Sequence, residues 1–380
     1  MTINYSDLNV IFHHPRPITP SGLTGSQVRP YKMLQAFRAL GANVYTVTGN
    51  YNERRDAAKS IKQMIRNGFH FDLVYSENLT IPFAMSEPHR LPIHPLMDHH
   101  FLAYCSAQGI PTSLFNRDVY WRDTSYSAML PLWGRMITVP FYWFDWWYQS
   151  RYLHTVYLPS EAMATALPMM NHFRSVGFLP PGADTVRKRE SHQTLPLQGK
   201  RPLRLFYVGG IEPPYYDLEP LFTAIKRTPS VNLTLCCRER EWAKLKGYYG
   251  PYMSDKVTIV HRAGEELISL YQNADLFTVI RGRGSYLDYS VPIKVYEAIG
   301  HTLPIVCSPG GETERIVCNE GLGWVKSPQD LPEFLNELRE NPAIIEEKRR
   351  HIESIQSDHT WTARAAQVCR DLTKSLQTLN

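Results

Sequence analysis

Short apolar runs alternate along this chain with helix-patterned segments, and that alternation constrains the fold more than any other feature. Runs rich in β-branched and aromatic residues recur at 8–12, 42–48, 71–76, 111–115 and 155–159. After a break they resume at 203–208, 231–236, 257–261, 276–280 and 303–307. Between them lie stretches of helical character, at 28–40, 53–66, 99–108, from Ser160, at 219–227, at 263–273 and from 331 onward. A strand that is apolar throughout, followed by a helix and another such strand, predicts a parallel sheet covered on both faces. The break, 182–201, is polar and carries Pro, Gly, Ser and Gln, so it reads as a linker between two similarly built α/β halves.

A chain of 380 residues is long enough for two or three domains with substantial cores. The six cysteines are scattered and form no C-x-x-C pair, which argues against a zinc site or a disulfide framework and for core thiols. No charged segment followed by an apolar run opens the chain, and no stretch approaches the ~20 apolar residues that span a bilayer, so a cytoplasmic protein is expected. A net charge of +5 suits anionic small molecules or acidic lipid surfaces; nothing points to nucleic acid.

Several residues are placed to carry chemistry. Lys294 and Glu297 lie three apart after Pro292, on one face of an expected helix that stops near Gly300. Gly310, Gly311 and Glu314 follow the next strand. A cation, a carboxylate and a glycine turn at one end of a parallel sheet suit a ligand with phosphates and a ribose. The plain alternative is an exposed ion pair. Gly209 and Gly210 close a strand as a phosphate-approaching turn would, but no cation follows them, and Arg238 or Arg240 could supply it. Gly22 and Gly25 form a glycine loop that opens a helix, with Arg29 in its first turn. Arg281 and Arg283, among Gly282 and Gly284, are candidate phosphate or acceptor contacts, or a solvated loop. Arg117 and Asp118 follow a buried strand, where polar residues usually face a crevice. His13 and His14 end the first strand. His89, His94, His99 and His100, with Asp98, match no zinc template. Residues 140–151 are unusually aromatic and end at Arg151, as an interfacial helix or a buried contact would be.

The order of these features resembles the GT-B glycosyltransferases, in particular family GT4. Their donor segment reads P-x-K-x-x-E-A, then a P-V-V strand and G-G-x-x-E. Pro292, Lys294, Glu297, Ala298, Pro304, Ile305, Val306, Gly310, Gly311 and Glu314 match it, whereas His301 and Thr302 replace the usual glycine. Residues 179–184 resemble the turn that begins the second domain, 205–210 its first strand, and Trp361 the start of the closing helix. The likeness is good over 178–370 and loose before that.

The resemblance implies two Rossmann-like α/β domains facing a cleft. An acceptor domain would span 1–185 and a nucleotide-sugar domain 186–355, with a C-terminal helix, 356–380, crossing back to the first. It implies a hexosyltransferase that retains anomeric configuration and requires no metal or other cofactor. The donor would be a UDP- or GDP-linked sugar and the acceptor a saccharide or lipid-linked sugar, in polysaccharide or glycolipid assembly, with peripheral membrane contact through 140–151. In the family, the lysine matching Lys294 meets donor phosphate and the glutamate matching Glu297 the ribose. The family's first glutamate would fall at Tyr289, so Asp288 is the candidate in its place, and Asp118 a candidate at the sugar. Gly25, Gly209, Gly210, Arg238, Arg281, Arg283, Gly310 and Gly311 complete the expected donor contacts. Two other readings stay open: a silent GT-B protein that binds a partner or glycan, and a sugar-nucleotide epimerase.

Overall fold

Two parallel six-stranded sheets organise the molecule, each in its own unit. The structure is a computed structural model that describes residues 3–20, 25–122, 132–184, 201–214, 216–280 and 288–377. One unit comprises Met1–Pro181 together with Trp361–Asn380, and the other Gly182–Thr360.

The first sheet has the order β2-β1-β3-β4-β5-β6. Its strands are β1 (Asn9–His14), β2 (Asn43–Thr48), β3 (Leu73–Glu77), β4 (Thr112–Phe115), β5 (Thr155–Leu158) and β6 (Val176–Phe178). β3, β4 and β5 are buried at every position, which explains why their sequences are continuous rather than alternating. Helices α1 (Gly25–Ala39), α2 (Tyr51–Arg66), α3 (Met97–Ala107), α4 (Leu132–Tyr152) and α5 (Glu161–Ala166) connect them. A reciprocal cap starts α2: the Asn50 side chain accepts from Glu53 N–H at 3.1 Å, and the Glu53 carboxylate accepts from Asn50 N–H at 2.7 Å.

The second sheet has the order β12-β11-β10-β7-β8-β9. It comprises β7 (Leu203–Val208), β8 (Val231–Cys236), β9 (Val257–Val260), β10 (Leu276–Val279), β11 (Ile305–Cys307) and β12 (Gly323–Val325). Its helices are α6 (Glu219–Arg227), α7 (Glu239–Tyr249), α8 (Glu266–Gln272), α9 (Ile293–Gly300), α10 (Gly311–Asn319), α11 (Leu331–Glu340) and α12 (Pro342–Ile355). The final helix, α13 (Trp361–Gln377), buries Trp361, Ala365, Val368, Cys369 and Leu372 in the core of the first unit, beside Phe12, Met33 and Tyr75.

Each sheet reverses its direction of growth once, between β1 and β3 and between β7 and β10. In such sheets the crevice beyond the strand C-termini at the reversal is where ligands bind. That rule puts the residues after β1, β3 and β4 in one candidate site, and those after β7, β8, β10 and β11 in another.

Candidate active site

In the first unit, β1 ends on His13 and His14, β3 on Ser76 and Glu77, and β4 leads into Asn116, Arg117 and Asp118. All seven are buried or nearly so. Burial of so many polar groups is tolerable only where they bond one another. His13 Nε2 lies 2.9 Å from Asp98 Oδ1 and its Nδ1 lies 2.7 Å from Ser76 Oγ. Asp98 also accepts from Arg54 Nε at 3.0 Å. Burial alone would raise the Asp98 carboxyl, but the His13 bond and the Arg54 charge hold it below the usual carboxylate range. Glu77 lies 3.4 Å from both Arg29 and Arg117 and accepts from the Tyr75 hydroxyl at 2.8 Å. His14 donates from Nδ1 to the Glu77 carbonyl at 3.2 Å. Burial, and then the Arg117 charge, push its pKa down to about 3, so the imidazole is neutral.

This network locates the sequence candidates. Arg29 packs its guanidinium 3.5 Å over the Phe115 ring, and the Arg117 side chain pairs with Glu77, so both are held within the domain. Gly25 opens α1 with its backbone. Asp118 is 7% exposed and lines a small recess together with Asn78, Asn116, Trp121, Tyr142 and Gln149. Asp98 and His99 do not converge on a metal: His99 bonds Asp145 at 2.8 Å and Tyr152 at 3.0 Å instead. Among the described residues no group of three His, Cys, Asp or Glu side chains could hold a metal ion.

In the second unit, α9 presents Lys294 and Glu297 on one face. Lys294 Nζ lies 2.9 and 2.8 Å from the two Glu297 carboxylate oxygens, and both side chains are part-buried. The Tyr271 hydroxyl donates to Glu297 Oε2 at 2.9 Å. Burial, and then the Glu297 charge, raise the Tyr271 phenol well above its ordinary range, so it stays a donor. Its ring stacks on His301 at 4.4 Å. This tyrosine's part is invisible in the sequence, where it reads as one apolar position of α8. The carboxylate therefore holds a lysine and a phenol, a donor set that ribose hydroxyls could replace.

The glycine turns differ from one another. A Cβ on Gly209 would lie 3.2 Å from the Tyr207 hydroxyl, and one on Gly210 would lie 3.3 Å from the Tyr216 ring. These glycines make room for tyrosine rings. Gly310 and Gly311 have φ of 101° and 75°, a conformation that favours glycine, and they start α10. Gly310 N–H donates to Glu314 at 2.5 Å, so a carboxylate of the same helix occupies the anion position at its N-terminus. Arg238 caps α7, 63% exposed and 3.1 Å from Glu241. Asp288 is exposed at the end of the loop before α9. Arg281 and Arg283 lie outside the described residues.

Residues 218–370 match the model of the glycosyl transferase-like family, a span that contains Lys294, Glu297, Gly310 and Gly311. No curated protein sequence matches the chain. Among solved structures, sucrose-phosphate synthase from Thermosynechococcus elongatus aligns over 98% of this chain and 100% of its own, with a TM-score of 0.57 at 14% identity. HepE from Anabaena, crystallised with UDP and glucose, aligns over 97% of this chain and 100% of its own, with a TM-score of 0.58 at 14% identity. A glycosyltransferase from Rickettsia africae ESF-5 gives 0.60 at 10%, over 97% and 99%.

The chain has the GT-B fold, and its residues 218–370 match a glycosyl transferase-like family. The family match falls mainly on the unit that carries the Lys294–Glu297 pair. The buried polar network belongs to the other unit, outside that match except for the closing helix. Among the described residues no helix is long and apolar enough to cross a membrane.

Proposed function

We propose that this protein is a glycosyltransferase that moves a hexosyl unit from a UDP- or GDP-linked sugar to a saccharide or lipid-linked acceptor, with retained configuration and without a metal, in polysaccharide or glycolipid assembly. The observation that carries the reading is the Lys294–Glu297–Tyr271 cluster, with the glycine start of α10 on the neighbouring strand. A lysine and a carboxylate that bond each other are a resting pair. A donor nucleotide would draw the ammonium to its phosphate and offer ribose hydroxyls to the carboxylate, so each group exchanges one partner for another of similar strength. Arg281, Arg283, the Gly310–Gly311 turn, Gly209, Gly210 and Arg238 would complete the donor contacts, with Glu314 giving way to an anion. Asp288 and Asp118 are the candidates at the reacting sugar, and the N-terminal domain with Gly25 would take the acceptor. HepE was crystallised with UDP and glucose and with UDP-glucose, which supports a nucleotide-sugar donor here. Transition-state stabilisation would come from positioned cations and backbone N–H groups at the departing phosphate.

The deciding experiment is binding and slow hydrolysis with a panel of UDP-, GDP-, ADP-, CMP- and dTDP-sugars. Selective binding and release of free nucleotide are expected, with affinity lost at least tenfold in Lys294→Ala and Glu297→Ala. Folded protein that binds none of the panel would overturn the proposal. It would favour a silent partner protein instead, a reading that the mutual satisfaction of Lys294 and Glu297 would then explain. Conversion of a nucleotide sugar to its epimer without acceptor would mark an epimerase.

A further inference from the structure

The recess beside Asp118 lies wholly within the first unit, beyond the C-termini of β3 and β4, with α4 as its far wall. Most of its polar groups are already engaged. Asn116 Nδ2 donates to the Asp118 carbonyl at 3.2 Å, and Asn78 Oδ1 accepts from Arg117 N–H at 3.1 Å. Asp145 accepts from His99 at 2.8 Å and from Phe83 N–H at 2.8 Å, and Trp146 donates to the Pro168 carbonyl at 2.7 Å. Gln149 is the exception. It is 3% exposed and lines the recess, and among the described residues its side-chain amide makes no hydrogen bond. An amide that lines a recess without bonding the protein takes its hydrogen bonds from whatever occupies that space, a ligand or an ordered water.

The walls say which ligand. Trp121 and Tyr142 lie parallel, 5.8 Å apart and 9° from coplanar, giving the rim flat apolar surface beside planar amides and the Asp118 carboxylate. Aromatic faces with amide and carboxylate groups suit the C–H faces and hydroxyls of a pyranose. The free space is about 20 Å³, room for a single water-sized group, so a sugar ring cannot enter but one substituent can. A ring hydroxyl is one bond from its bulky ring, whereas a hydroxymethyl group reaches one bond deeper.

We propose that Gln149 is a specificity-determining residue that receives the hydroxymethyl arm of a hexopyranoside acceptor, whose ring rests on the rim at Trp121 and Tyr142. This rests on the reading of the first unit as an acceptor domain. The hydroxyl would donate to the Gln149 carbonyl and accept from its N–H₂.

The test uses the full chain without nucleotide. Methyl gluco-, manno- and galactopyranosides are titrated against methyl xylopyranoside, which lacks the hydroxymethyl arm, with tryptophan fluorescence and saturation-transfer NMR as readouts. At least one hexoside is expected to bind, at least fivefold tighter than the xyloside. Gln149→Met should erase that preference while its melting temperature stays level or rises, because the amide it removes bonds no described residue. Asp118→Asn tests the same rim with little change in shape. Lys244→Ala, on the surface of the other unit, should bind the hexoside as wild type does. The proposal is overturned if no glycoside binds, which would leave the recess to a water, if Gln149→Met keeps the preference, or if that variant is clearly destabilised. Because donor binding is measured separately, its survival alongside any of these failures would leave the glycosyltransferase reading standing.

Discussion

His14 shows what the sheet ends do to single residues. Its Nδ1 faces a carbonyl oxygen, so the ring carries its proton there, and burial with the nearby Arg117 charge keeps it from taking a second. The folded pKa is about 3 against 6.5 in an open chain, so the unfolded state binds the extra proton first as pH falls. Stability from this group is fully present above pH 6.5 and drains away below it. Between pH 7 and pH 5 the loss is about 2 kcal/mol. Urea unfolding at the two pH values should show it, and His14→Gln, which can keep the bond to Glu77, should flatten the dependence by that amount. An unchanged slope would mean that the imidazole is charged in the fold. At this scale the sequence is uneven evidence. The spacing of Lys294 and Glu297 is visible because helix geometry fixes which residues share a face. Tyr271 and Gln149 are not, because each acquires its role from a partner, or from the lack of one, far along the chain.

Helix α4 carries a feature that belongs to a whole element. Leu132, Met136, Pro140, Trp143, Trp147 and Arg151 recur at intervals of three and four, so they share one face, and all six are exposed. The opposite face buries Asp145, Trp146 and Gln149. The Arg151 guanidinium lies 4.8 Å from the Trp147 ring, and that of Arg122 lies 5.8 Å from Trp143. Tryptophans with flanking arginines on an exposed face suit an anionic lipid surface. Co-sedimentation with phosphatidylglycerol vesicles should therefore exceed that with phosphatidylcholine and fall with salt. Trp143→Ser with Trp147→Ser should lower it at least tenfold, and equal recovery of variant and wild type would remove the membrane role. Elements of this kind set the limit of legibility. The continuous apolar strands and the helices between them stand out because a parallel sheet demands that pattern. The aromatic segment 140–151 proves to be the end of a longer helix that runs back to Leu132. Pro140 lies on the exposed side, where the carbonyl it leaves without a partner meets water. β6 and β12 are three residues each, too short for any period to register.

For the whole molecule, chain order and unit order disagree. The polypeptide completes the second sheet and its helices before α13 supplies Trp361, Val368 and Leu372 to the core around Phe12 and Tyr75. The first sheet is then stabilised by residues synthesised after the whole second sheet. Trp361 is 6% exposed, and its ring lies 5.6 Å from the Arg29 guanidinium that also covers Phe115 and pairs with Glu77. Removing this ring should therefore reach the polar network at the sheet end as well as the apolar core. Trp361→Ala is expected to cost about 3–5 kcal/mol, as large buried aromatics do. Hydrogen exchange locates the cost. Amides of β1, β2 and β3 should lose protection in the variant, while those of β7 and β8, nearer in sequence to residue 361, keep theirs. Trp361→Phe should recover most of the protection by refilling the same space. Loss of protection spread evenly over both sheets would mean instead that Trp361 stabilises the second unit, against the packing of α13 seen here.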